Sequence, residues 1–295
     1  MTSPPFEDRD GVIWLDGQYV PWRQAQLHVL SHGLHYGGGI FEGERVYAGR
    51  VFKLAEHTQR LHRSARELGF EIPFSCAQID AATLGLVERQ GVSNGYVRPV
   101  AWRGSEQMSV AAPAATIHLA IAAWEWPDII PADSRENGLR LGTSRWRRPA
   151  PDTAPVQAKA ASLYNICTLA HSEAEAAGFD DALLLDYRGY VAEGTGANIF
   201  LVFGGELHTP VPDCFLNGIT RQTVIGLAGQ LGIPVTERQI RPAELDQAAE
   251  CFLTGTAYEV QPVRAIDGHQ YQVGAITRAL VEAYRRLVYQ EVGSG

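Results

Sequence analysis

Strand-like runs in this chain come as short neighbours separated by turns, and that feature excludes a doubly wound parallel sheet, in which strands and helices alternate. Residues 12–22 and 45–54 read as short strands around Gly17 and Gly49, with the glycine-rich stretch from Gly33 to Gly43 between them. A helix is expected over 55–69, with Leu54, Leu61, Ala65 and Leu68 on one face and Gly69 as its stop, and a second over 76–90. Two extended runs rich in β-branched and aromatic residues follow, 96–103 and 116–124. Further on, a strand over 139–144 leads to a proline-broken loop at 148–155 and a helix over 162–177. Strands over 181–187, 190–193 and 199–203, a helix over 220–231, strands over 251–254 and 259–266, and a C-terminal helix from Ala275 complete the reading. The segment 127–137, PDIIPADSREN, has the prolines and turn formers of a linker. The expectation is an α+β fold in two domains: a small N-terminal domain over 1–126, the linker 127–137, and a large C-terminal domain over 138–295. A chain of 295 residues is long enough for two such cores.

Composition narrows the function. A formal net charge of -8 and the absence of a basic face argue against nucleic acid or an anionic membrane as the main partner. No apolar run reaches the roughly 18 residues that span a bilayer, and the polar, acidic N-terminus is no signal peptide. Cys76, Cys167, Cys214 and Cys251 are scattered without a CxxC pair, so reduced thiols and a cytoplasmic location are expected. Lysine is scarce. Only Lys53 and Lys159 are present, so lysine-dependent chemistry has two candidates.

Lys159 sits among alanines directly before a helix, in APVQAKAASLYN. Such a lysine is ordinarily a solvated side chain, but small apolar neighbours would desolvate the amine and lower its pKa from about 10.4, as a Schiff-base lysine requires. Glu193, in GYVAEGTGANIF, is either a simple turn acid or a partner that keeps a pyridine nitrogen protonated, with Asn198 placed to orient it. Two segments could cradle a phosphate: FLNGITRQTV, where a helix begins near Ile219 and Thr220, and LTGTAYE, with the Thr256 hydroxyl. Arg60 is by default a surface arginine of an amphipathic helix, and could equally give a bidentate guanidinium to a phosphate. His28, His32, His35, His57 and His62 lack an accompanying acidic or cysteine ligand set, so no metal is expected. Trp102, Trp124 and Trp126 read as core.

Taken in order, VLSHGLHYGGGIFEGERVY, YVRP, KAASLYN, EGTGANIF, LNGITRQT and FLTGTAYEVQPV resemble the fold-type IV pyridoxal-phosphate enzymes of D-amino acid aminotransferase-like fold. The resemblance is strongest to the bacterial branched-chain amino acid aminotransferases and runs nearly end to end. It implies pyridoxal 5'-phosphate held as a Schiff base on Lys159, which also shuttles a proton between the substrate Cα and the cofactor. It implies Glu193 at the pyridine nitrogen, Tyr164 at the phenolic oxygen, and Leu216 beneath the ring. The phosphate would fall to Arg60, the backbone at Gly218, Ile219 and Thr220, and the Thr256 hydroxyl. The substrate α-carboxylate would meet the amides of Thr256 and Ala257 and the Tyr96 hydroxyl. Phe41, Tyr36 and Tyr164 would line an apolar side-chain pocket, with Arg98 and Tyr36 receiving the distal carboxylate of glutamate. Met108 and Val110 match a loop that reaches into a neighbouring subunit's site, which implies a homodimer or higher homo-oligomer.

The implied reaction is ping-pong transfer of an amino group between branched-chain L-amino acids (Leu, Ile, Val) and 2-oxoglutarate. Sibling alternatives are an (R)-amine or D-amino acid transaminase, then an aminodeoxychorismate-lyase type, then a silent pyridoxal-phosphate binder. The sequence departs from the family pattern at three places. Tyr258 replaces a small residue, usually alanine; Ala161, Ser162 and Leu163 replace a stretch richer in glycine and asparagine; and Ser109 replaces a glycine.

Overall fold

The computed structural model describes residues 5–126 and 132–290, which form two compact units. The first holds the described residues up to Trp126 together with Ala158–Ser162; the second holds the rest. The lysine-bearing segment, expected in the C-terminal domain, therefore packs with the N-terminal one. Residues 127–131 of the expected linker lie outside the described residues, and its remainder, Ala132–Asn137, forms a short helix.

The first unit comprises β1 (Val12–Leu15), β2 (Gln18–Pro21), α1 (His32–Tyr36), β3 (Ile40–Phe41), β4 (Glu44–Tyr47), β5 (Arg50–Val51), α2 (Leu54–Glu67), α3 (Cys76–Gln90), β6 (Gly95–Arg103) and β7 (Ile117–Glu125). Its antiparallel sheet runs β2-β1-β7-β6-β4-β5, with β3 also paired to β6. Strand alternation puts Leu119, Ile121 and Ala123 of β7 on one face. There they meet Leu61 and Ala65 of α2 and Ile79, Leu86 and Val87 of α3 in one apolar core. The start of α3 is set by a capping box: Ser75 accepts from the Gln78 amide, and the Gln78 side chain accepts from the Ser75 amide. Gly91, with φ of 64°, ends it in the left-handed conformation that glycine adopts without strain.

The second unit comprises α4 (Ala132–Asn137), β8 (Leu139–Arg148), α5 (Tyr164–Ala176), β9 (Asp181–Asp186), β10 (Val191–Gly194), β11 (Asn198–Phe203), β12 (Glu206–Thr209), α6 (Ile219–Gln230), β13 (Val235–Glu237), β14 (Glu250–Gly255), β15 (Glu259–Ile266), β16 (His269–Gln270) and α7 (Ala275–Gln290). Its mixed sheet runs β10-β9-β8-β15-β14-β11-β12-β13, and a further β10–β11 pairing joins the first strand back to the sixth. Those pairings close a circuit of β8, β9, β10, β11, β14 and β15, which leaves these strands without open edges. Leu141, Leu183, Ile199, Leu201, Leu253 and Val263 from five of them form its fully buried core. Two turns of this circuit carry candidate residues. The β10–β11 turn follows Glu193, and the three-residue β14–β15 turn holds Thr256, Ala257 and Tyr258.

Candidate active site

Lys159 is held by a long-range set of backbone bonds. The Phe41 amide donates to the Lys159 carbonyl (3.1 Å), the Ala161 amide donates to the Gly39 carbonyl (2.8 Å), and Ile40 and Ala160 form an antiparallel bridge. The Lys159 amide donates to Ser64 Oγ on α2 (2.9 Å). Its side chain thus leaves a backbone fixed on both sides. Burial, with the Arg60 guanidinium nearby, brings the amine down to about 8 from its ordinary 10.5. Near neutral pH a useful fraction is therefore the free base. Lys53 is of a different kind: it is partly exposed and pairs with Glu56 at 2.8 Å.

Phe41 lies beside two cations. Lys159 Nζ is 5.0 Å from its ring centroid, and the Arg98 guanidinium is 4.7 Å from it. Arg98 Nη2 donates to the buried Tyr96 hydroxyl (3.2 Å), its Nε is buried without a hydrogen-bond partner, and no carboxylate pairs with it among the described residues. A structural ion pair, the plain alternative for this arginine, is absent there. Gly43 is required where it stands, because a Cβ on it would lie 1.9 Å from the Tyr96 hydroxyl. Tyr96 packs in turn against Trp124 and Trp126, which are partly exposed rather than core.

Arg60 is no surface residue. It is 5% exposed, and Nε and Nη2 donate to Oε1 and Oε2 of Glu42 at 2.7 and 2.8 Å. His57 Nδ1 lies 2.7 Å from the same Oε2 and is the donor there, since an ionised carboxylate only accepts. Glu42 is fully buried, and the Arg60 charge and these donors hold it far below the usual carboxylate range. Sequence reasoning missed Glu42. The signal present was the three-residue spacing of His57 and Arg60 on one helix face.

Tyr36, Met108 and Val110 are exposed, unlike Phe41, Tyr96 and Arg98. Tyr36 closes α1 and packs its ring on His32 (4.6 Å), whose Nε2 bonds to the Val110 carbonyl (3.0 Å). The histidines of this region thus serve local structure, as His35 also does by bonding to the Val29 carbonyl.

In the second unit Asn198 is the hub. Its Oδ1 accepts from the Gly218 amide (3.1 Å), and its Nδ2 donates to the Leu216 carbonyl (3.0 Å) and lies 3.4 Å from Glu193 Oε2. One amide side chain therefore ties Glu193 to the segment before α6. Gly218 caps that helix and offers no side-chain oxygen to its first amides, so those at Ile219 and Thr220 open α6 with the partial positive charge of a helix start. A Cβ at Gly218 would meet Asn198 Oδ1 at 2.3 Å, so a side chain there would displace the Asn198 amide from its bonds. Arg148, also missed from sequence, ends β8 with Nε 3.2 Å from Glu193 Oε1, a buried ion pair. Thr256 and Ala257 occupy the β14–β15 turn, and Tyr164 opens α5.

Tyr258 now has a structural reason. Its hydroxyl donates to Asp181 Oδ2 (2.9 Å), while Thr195 Oγ1 donates to Oδ1 of the same buried acid (2.5 Å). Asp181 thereby bonds to both candidate turns, and His171 and the Ala182 amide complete its partners.

These donor sets suit the cofactor that the resemblance implies. An amine near 8, a buried guanidinium, an uncapped helix start, and a carboxylate flanked by arginine match an aldehyde, a phosphate and a protonated ring nitrogen.

Comparisons with known proteins agree. The family model for class IV aminotransferases matches residues 39–266. A Rickettsia felis protein named "Probable branched-chain-amino-acid aminotransferase" is 45% identical over 269 residues, 90% of this chain and 91% of that one. A branched-chain-amino-acid aminotransferase of Pseudomonas aeruginosa is 41% identical over 288 residues, 95% of this chain and 94% of its own. The crystal structure of a Thermoproteus uzoniensis branched-chain aminotransferase with norvaline superposes with a TM-score of 0.91 at 40% identity, covering 95% of each chain. With the motifs running through both units, the conclusion is direct: this chain belongs to the class IV aminotransferase family.

Proposed function

We propose that this chain is a pyridoxal-phosphate transaminase exchanging the amino group between branched-chain L-amino acids and 2-oxoglutarate. The observation that carries the reading is Phe41, whose ring borders both the Lys159 amine and the Arg98 guanidinium. A dual-substrate enzyme needs an apolar surface for a branched chain and a cation for the distal carboxylate of glutamate.

When bound, pyridoxal phosphate supplies an electron-withdrawing ring that acidifies the substrate Cα–H. Lys159 would hold the cofactor's aldehyde and, once released, would move the proton from Cα, a role suited to an amine brought down to about 8. Glu193, 3.2 Å from Arg148 Nε, would hold the ring nitrogen protonated. Arg60, the backbone of Gly218, Ile219 and Thr220, and the Thr256 hydroxyl take the phosphate; Tyr164 takes the phenolic oxygen, and Leu216 supports the ring. The amides of Thr256 and Ala257 and the Tyr96 hydroxyl take the α-carboxylate. Phe41, Tyr36 and Tyr164 line the apolar pocket, and Arg98 with Tyr36 receives the distal carboxylate.

The reading includes a homodimer. Leu27, Val29, Leu30, Leu34, Met108 and Val110 are exposed apolar residues of one region of the first unit, and Met108 and Val110 would serve the neighbouring subunit's site. The four free cysteines fit a reducing, cytoplasmic setting. No helix among the described residues is long and apolar enough to cross a membrane.

A donor screen with 2-oxo acid acceptors tests the reading. L-leucine and L-glutamate should support turnover, with D-alanine and (R)-1-phenylethylamine at least about a hundredfold poorer, the ratio set by roughly 2.7 kcal/mol of discrimination. Preferred use of D-alanine or of the (R)-amine overturns it.

A further inference from the structure

We propose that Glu42 is the positioning residue for Arg60, with His57 as its support, and that it thereby sets how firmly this chain grips the cofactor's phosphate. The inference rests on the reading of Arg60 as the phosphate's arginine. Glu42 is fully buried in the β3–β4 connection: its amide donates to the Pro99 carbonyl of β6 (2.9 Å), while its carboxylate, which also accepts at 3.3 Å from the Gly43 amide, turns to α2. Its two oxygens engage Nε and Nη2 of Arg60 in a bidentate fork at 2.7 and 2.8 Å, which fixes both the plane and the direction of the guanidinium. His57 donates to Oε2 from the preceding turn of α2 and stops the carboxylate from swinging.

The same helix face reaches Lys159. His57, Arg60 and Ser64 are spaced by three and four residues and share a face of α2. Ser64 Oγ accepts the Lys159 amide, while Phe41, the residue before Glu42, bonds to the Lys159 carbonyl. The phosphate's arginine and the cofactor's lysine are thus set by one rigid element, and Glu42 is the link on the arginine side. Burial and the Glu42 charge raise the carboxyl of nearby Glu44 well above the usual range, which disfavours a second anion beside Arg60.

A carboxylate beside a phosphate-binding arginine has two opposed effects, and they differ in sign. Its charge offsets part of the attraction for the phosphate, so its removal would tighten binding. Its fork pre-orients a long side chain that otherwise has many rotamers, so its removal would loosen binding. In a pair that is bidentate and buried on both sides, orientation is the larger effect.

The test uses equilibrium binding of pyridoxal phosphate and of pyridoxal, which lacks the phosphate, to the cofactor-free protein. Glu42→Gln should weaken pyridoxal phosphate by about ten- to a hundredfold, the span of a charge-assisted hydrogen bond. Pyridoxal should change by no more than about twofold, because Lys159 and Glu193 are retained. His57→Phe should give a smaller loss in the same direction. His57→Asn, whose Nδ2 lies as many bonds from Cα as His57 Nδ1, should restore the wild-type value. Unchanged or tighter binding of pyridoxal phosphate in Glu42→Gln overturns the proposal, as does an equal loss for both ligands. If Glu42→Gln does not fold, wild-type affinity in His57→Phe overturns it instead. Arg60→Gln separates the premise: if it leaves the ratio of the two affinities unchanged, Arg60 does not hold the phosphate, and the reading of that residue fails rather than the geometry of its clamp.

Discussion

Half-buried Arg98 and fully buried Glu44 are two charged groups without a paired opposite charge among the described residues, and each predicts a different effect of substitution. Arg98 has apolar and hydroxyl neighbours but no acid paired with it among the described residues, as the proposed contact with a distal carboxylate requires. Arg98→Ala should lower kcat/KM for 2-oxoglutarate by about ten- to a hundredfold, while 4-methyl-2-oxopentanoate changes little. Equal losses on both acceptors, with a lowered melting temperature, would assign Arg98 to structure. Glu44 carries no such role. Its carboxyl is buried, Oε2 has no hydrogen-bond partner, and burial and the Glu42 charge raise its pKa. A group whose folded pKa is raised binds its proton more tightly in the native state, so its contribution is full below the unfolded pKa of about 4.3 and is lost as pH rises through the folded value. Glu44→Gln, which mimics the protonated form, should therefore raise the melting temperature between pH 6 and 8 by roughly 2–4 °C and flatten its fall with pH. A variant whose melting curve keeps the wild-type pH slope would show that Glu44 is not the titrating group. Neither acid in FEGER was legible as buried. Charged residues in a glycine-flanked segment read as exposed loop, whereas α2, packed against β3 and bonded to Glu42 through His57 and Arg60, helps take this segment out of water.

At the scale of elements, the turns of the second unit matter most. The hairpin residue Tyr258 departs from the family pattern, yet it ties the Thr256–Ala257 turn to the Glu193 turn through Asp181. Tyr258→Phe should cost about 1–2 kcal/mol of stability, since Asp181 keeps its other donors. The freed turn should also raise KM for 2-oxo acids several-fold, with kcat changed less. A Phe variant with unaltered KM and unaltered melting would mean that the hydroxyl is incidental. Elements with strong local signals were readable: α3 matches its expected 76–90 span because Ser75, Gln78 and Gly91 mark both ends, and β15 matches 259–266. The strands β12 and β13 were not, because each is short and adjoins Gly or Pro, and the edge strand β13 gains its order from parallel pairing with β12, from which α6 separates it in the chain. The tenth residue of β8, Arg148, was hidden for a related reason. A proline-rich loop follows it, and its value lies in contact with Glu193, far along the chain.

Across the whole molecule, the division into α+β parts and the family resemblance were legible from motif order. The unit to which Lys159 belongs was not. Sequence position puts it with the helix that follows, whereas backbone bonds to Gly39 and Phe41 and the Ser64 hydroxyl bind it to the N-terminal sheet and α2. That placement is what desolvates the amine and sets Arg60 near it, so the chemistry of Lys159 depends on contacts made far back along the chain. The direct measurement is borohydride reduction of the purified, pyridoxal-phosphate-loaded protein, followed by peptide mapping. The account predicts loss of the visible absorbance and one phosphopyridoxyl group per chain, on the peptide containing Lys159, with Lys159→Ala unlabelled and Lys53→Ala labelled as wild type. Label on Lys53, or a stably loaded protein that cannot be reduced onto either lysine, would contradict it.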